Sequence, residues 1–100
     1  MPTHAKPQRR FYMMSIWKFP IVRTDEQKIE MPVGAKVLSV QMQNGIPCIW
    51  AIIDTDARIE SRSIAVVGTG NPCWCFTWAF IGTVADGDFM WHVFTEGNGA

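Results

Sequence analysis

The chain has no net charge, an odd three cysteines, only two histidines and no apolar run near the length of a membrane span. Each shortage closes off a class of protein. Nine basic residues balance nine acidic ones, so no overall field draws the chain to a phosphate backbone or an anionic membrane. Neither nucleic acid nor a membrane is therefore an expected partner. A secreted disulfide scaffold would carry a dense, even set of cysteines, and Cys48, Cys73 and Cys75 fit a reducing cytosol better. A membrane helix needs about 20 apolar residues, and no stretch approaches that. Lys6, Arg9 and Arg10 lead into polar-interrupted sequence rather than the apolar core of a signal peptide.

Chemistry-bearing motifs are equally scarce. Cys73-Trp-Cys75 offers two thiols at C-x-C spacing, whereas a zinc site needs about four ligands and wider spacing, so no metal or other cofactor is expected. The two cysteines read instead as small apolar residues beside Trp74. A cysteine nucleophile would need a nearby base, and beyond residues 1–13 His92 is the only histidine. Asp54 and Asp56 are the nearest thing to a carboxylate pair, and their turn-like setting suits backbone hydrogen bonding. No catalytic residues are assigned.

What the chain does have is β-hairpin chemistry. Asn44-Gly45 joins two strand-forming runs over residues 36–53, and a type I′ turn takes positive φ at both positions most cheaply with that pair. Pairing outward sets Gln43 against Ile46, Gln41 against Cys48 and Ser39 against Trp50. Leu38, Val40, Met42, Ile49, Ala51 and Ile53 then share the other face, the expected core. Asp86-Gly87 marks a second hairpin over residues 80–94, pairing Val84 with Phe89, Gly82 with Trp91 and Phe80 with Val93. Trp91 would then cover the bare Cα of Gly82. Residues 16–22 alternate Trp17, Phe19 and Ile21 on one face, with Pro20 suited to an edge strand. Residues 27–31 and 62–67 complete the set of strands. Residues 54–61 read as a loop with room for one helical turn, and residues 72–79 as a short helix or irregular loop. The whole predicts an all-β domain, a small, mostly antiparallel sheet or compact sandwich of about six or seven strands. Its boundaries are residues 14–96, between a flexible leader at 1–13 and a flexible tail at 97–100.

The segments Ile16-Trp-Lys-Phe-Pro20, Met31-Pro-Val-Gly-Ala35, Leu38-Ser-Val-Gln41, Asn44-Gly-Ile-Pro-Cys-Ile-Trp-Ala51, Gly68-Thr-Gly70, Ile81-Gly-Thr83 and His92-Val-Phe94 follow one another along the chain. In that order they resemble a family of small tailed-bacteriophage and prophage proteins that carry a domain of unknown function. The resemblance runs over roughly residues 15–94 and implies no particular activity. Family members usually continue from the Gly-Thr-Gly loop into a polar, acidic linker, where this chain has Cys73-Trp-Cys-Phe-Thr-Trp78, so nothing about that loop is carried over.

The resulting expectation is a phage-type accessory protein of the host cytoplasm that binds rather than catalyses. Its first form is a protein-binding module, with Trp17, Trp50 and Trp74 as anchors and a host or phage protein, including a defence protein, as partner. The alternative is a sponge for a small phosphorylated ligand such as a nucleotide. There the amides of Gly68, Thr69, Gly70 and Asn71 would take the phosphate, Trp50 or Trp17 would stack the base, and Lys18 or Arg62 would offset charge. The aromatic excess, low net charge and sparsely guarded edge strands also predict a homo-oligomer.

Overall fold

The structure, a computed structural model, describes residues 13–98. Seven strands follow one another: β1 (Met14–Pro20), β2 (Glu26–Pro32), β3 (Lys36–Gln43), β4 (Ile46–Asp54), β5 (Ile59–Gly68), β6 (Ala79–Asp86) and β7 (Phe89–Thr95). They form two antiparallel sheets, a three-stranded one in the order β1-β4-β3 and a four-stranded one in the order β2-β5-β7-β6. The fold is all-β, and residues 72–78 are an irregular, turn-rich loop rather than a helix. No helix among the described residues is long and apolar enough to cross a membrane.

The first hairpin has the register expected from its turn. Asn44 and Gly45 take φ of 53° and 78°, and Gln43, Gln41 and Ser39 lie opposite Ile46, Cys48 and Trp50. Ile49, Ala51, Ile53 and Val40 are buried between the sheets, where Met31, Ile64, Val66 and Val93 of the larger sheet meet them. Leu38 departs from expectation. A bulge between Val37 and Ser39 puts an extra residue into β3, so Val37 takes the core position and Leu38 turns outward. The side chain of Asn98 pairs with both main-chain groups of Val37 at 2.8 and 3.3 Å, holding the strand where its ladder is interrupted.

The second hairpin turns two positions later in the pairing than Asp86-Gly87 predicts. Asp86 pairs with Phe89, Val84 with Trp91, Gly82 with Val93 and Phe80 with Phe94, with a bulge between Phe80 and Gly82. Gly87 alone takes positive φ here, the pattern of a type II′ turn, whereas a type I′ turn would have forced it on Asp86 as well. Asp86 is thereby left in the ladder, where it accepts hydrogen bonds from Arg23 and from Trp91 Nε1. Because side chains alternate with a period of two, the slip leaves Val84 and Gly82 on their expected face, whereas the bulge turns Phe80 to the opposite one, beside Phe94. It does change which glycine Trp91 covers. The indole lies over Gly68, 3.3 Å from where a Cβ would be, while Gly82 admits Val40 of the facing sheet, 3.0 Å from its own absent Cβ.

Arg23, in the β1–β2 connection, also donates to the Gly45 carbonyl at 2.8 Å. One guanidinium therefore holds both hairpin turns at the same end of the sandwich.

Candidate functional site

Beneath the larger sheet's outward face is a second, small cluster. Ala65, Val67 and Cys75 are buried there, with Trp78 and Phe94 packed on them. The loop after β5 supplies Cys75 and Trp78 and so covers part of that face. The loop begins with a turn: the Asn71 amide donates to the Gly68 carbonyl at 3.1 Å, and Gly70 at the third position takes a φ of +91°.

This turn separates two shallow clefts. One, of about 250 Å³, is lined by Val67, Cys73, Phe80, His92 and Phe94. The other, of about 420 Å³, is lined by Asp88, Phe89, Met90 and Trp91. His92 stands on the outer face between hydroxyls, with Nε2 2.7 Å from Thr69 Oγ1 and Nδ1 2.9 Å from Thr83 Oγ1. Both ring nitrogens are thus engaged in holding the strand ends together. Among the described residues, no three His, Cys, Asp or Glu side chains gather as metal ligands.

The residues proposed for a phosphorylated ligand are not brought together. The Thr69 amide donates to the Met90 carbonyl at 3.3 Å and the Asn71 amide to Gly68, so these two do not converge on an open anion site. Lys18 and Trp50 are neighbours on the outer face of the smaller sheet, where Lys18 Nζ lies 2.6 Å from Gln43 Oε1. Arg62 is buried rather than facing a ligand. Its guanidinium donates to the Ala35 carbonyl at 2.8 Å and reaches the Gly97 carbonyl at 3.4 Å, tying β5 to the β2–β3 connection and to the end of β7. The sequence reading gave Arg62 a place at the start of a strand and a role in offsetting ligand charge, and only tertiary contacts reveal its burial.

Exposed apolar side chains lie in the loop that follows the turn and on the second hairpin beside it. Trp74, Phe76, Phe80, Phe89 and Met90 are 45, 75, 58, 64 and 44% exposed. They are backed by aromatic pairs: Trp74 sits edge-on to Trp78 at 5.2 Å, Phe80 on Phe94 at 5.4 Å, and Phe89 stacks on Trp91 at 5.9 Å. Such pairs fix ring orientation, so the surface is preformed. Of this rim the sequence reading named Trp74 alone. Met90 and Phe94 were readable as one face of a strand, but Phe80 joins that face only through the bulge, and the loop that exposes Phe76 has no period to read. Trp17 is 41% exposed on the edge strand β1, tilted against Phe19 at 6.4 Å, and pairs with Ala51, which puts it on the face of the smaller sheet opposite Trp50.

The family model described as a domain of unknown function, DUF7352, matches residues 13–100. The chain belongs to the DUF7352 family. No curated protein and no solved structure matches it. The DUF7352 match spans both sheets and the rim, so the aromatic surface is built within the family's domain.

Proposed function

We propose that this domain is a non-catalytic protein-binding module whose contact surface is the rim around the Gly68–Asn71 turn. The observation that carries the reading is the group of exposed Trp74, Phe76, Phe80, Phe89 and Met90 on a rigid β scaffold. Aromatic anchors held in fixed orientation are the usual centres of binding energy in protein interfaces. The nucleotide reading has less support, since two of its four phosphate-binding amides donate to main-chain carbonyls.

The resemblance to phage and prophage proteins supports an accessory role in the host cytoplasm, with a host or phage protein as partner, a defence protein among the candidates. Self-association belongs to the same proposal. The outer edge of β1 carries exposed Met14, Ile16 and Trp17 with Lys18 as its only charge, which suits antiparallel pairing with a second copy.

The test is affinity capture from host lysate with the full chain, its Trp74→Ala/Phe76→Ala variant and Trp50→Ala. A partner retained by wild type and Trp50→Ala but lost by the rim variant supports the reading. Loss of about 2 kcal/mol, roughly 30-fold in Kd, is the size expected for one anchor. A partner held equally by all three proteins would refute it. So would heat from a nucleotide in calorimetry that Gly70→Val abolishes.

A further inference from the structure

The rim contains a pair of thiols that the binding reading leaves unused. Cys73 is exposed and lines the cleft with His92 and Phe80, while Cys75 is fully buried in the outer cluster. Burial, and then the neighbouring Cys73 side chain, push the Cys75 thiol above its ordinary value. Residues two apart have Cα atoms at most about 7 Å apart, at the upper end of the range a disulfide spans, and a turn over residues 74–77 begins between the two cysteines.

We propose that Cys73 and Cys75 are a reactive dithiol, a modification site at which a low-molecular-weight disulfide such as oxidised glutathione closes a disulfide around Trp74. The Cys73 thiolate attacks one sulfur of the reagent, whose S–S bond breaks, and one glutathione leaves as a thiol after taking up a proton. Cys75 then gives up its proton and attacks the Cys73 sulfur of the mixed disulfide, releasing the second glutathione. Two electrons pass from the two protein thiols to the reagent, which ends as two thiols. The asymmetry of exposure sets the order: Cys73 meets the reagent and Cys75, shielded from solvent, resolves it.

The product is a tight ring with Trp74 at its apex, and strained bonds of that kind are the readily reversed ones. Drawing the Cys75 sulfur toward Cys73 would loosen its packing on Ala65 and Val67 and reorient Trp74 and Phe76. Provided the rim is the contact surface, partner binding is then redox-dependent.

The test is intact-mass analysis of the full chain after incubation with oxidised glutathione and blocking of remaining thiols. Wild type should lose two hydrogens through a Cys73–Cys75 bond, reversibly with dithiothreitol. Cys75→Ser should accumulate a glutathione adduct on Cys73, and Cys73→Ser should acquire neither change. Should Cys75→Ser lose its near-ultraviolet dichroism, Cys75→Ala, apolar and small, takes its place. Wild type that stops at the adduct, a bond that uses Cys48, or modification of Cys75 in Cys73→Ser would overturn the proposal.

Where a partner has been captured, the reduced and oxidised forms should differ at least tenfold in Kd, and equal affinity would overturn the regulatory part. Disulfide formation is read by mass without any partner, so failure of the binding reading would leave it standing, and the reverse also holds.

Discussion

Replacing Gly82 by Ala would place a Cβ 3.0 Å from Val40 Cγ1, across the gap between the two sheets. Carbon atoms prefer about 3.5–4.0 Å, so β3 and β6 would have to separate by about half an ångström or Val40 leave its rotamer. Overpacking of this kind costs about 1–3 kcal/mol. The backbone at Gly82 is outside the positive-φ region, so the substitution also recovers about 0.4–1 kcal/mol from the unfolded chain. The net expectation is a loss of about 1–2 kcal/mol, or at least roughly 4 °C in Tm for a domain of this size. Val40→Ala alone removes two buried methyl groups and should cost about 2 kcal/mol. Together, the new methyl occupies the space that Cγ1 vacated, and the double variant should be about 1 kcal/mol more stable than the sum of the singles. Urea unfolding followed by tryptophan fluorescence, with m held constant, measures all four proteins. A neutral or stabilising Gly82→Ala, or additivity within about 0.5 kcal/mol, would show that the sheets do not meet there.

Arg62→Ala should lower stability by about 1–3 kcal/mol, because the buried Ala35 carbonyl loses its donor, and a denaturant melt that leaves the midpoint unchanged would refute the tie. The hydrogen bonds from Arg23, and then from Trp91, hold the Asp86 carboxyl below its ordinary value. A depressed carboxylate contributes stability above its unfolded pKa and loses it as pH falls through the folded one, so the acid limb of a stability–pH profile should flatten in Asp86→Asn. A limb identical to wild type would contradict this. Self-association through β1 predicts a dimer or larger species in sedimentation at tens of micromolar, on the order of ordinary dimer affinities. Lys at Ile16 should shift it toward monomer, and a wild-type monomer at that concentration would end the proposal.

Local turn chemistry made much of this fold legible. Asn44-Gly45 and the alternation around it fixed the first hairpin, because turn type and face patterning demanded one register. Both bulges escaped notice, since an extra residue at Leu38 or Ile81 is set by how the facing sheet packs and leaves no mark in the alternation. The second turn was misplaced because Asp-Gly and Gly-Asp both make tight turns, and Asp86 in the ladder meets Arg23, far away in sequence. The glycine under Trp91 was wrong for the same reason: the indole covers the neighbouring strand β5, not β6. The candidate ligand residues are dispersed in ways the sequence does not mark, with Arg62 buried and Trp50 and the turn on different sheets. The rim emerged only when the aperiodic loop was seen to expose Trp74 and Phe76.

The most direct test of the binding account is the affinity of a captured partner for wild type, Trp74→Ala/Phe76→Ala and Trp50→Ala, each first shown to share the wild-type melting midpoint. The account predicts a loss of at least about 30-fold for the rim variant and little change for Trp50→Ala. Equal affinity for wild type and the rim variant, or a loss confined to Trp50→Ala, would contradict it.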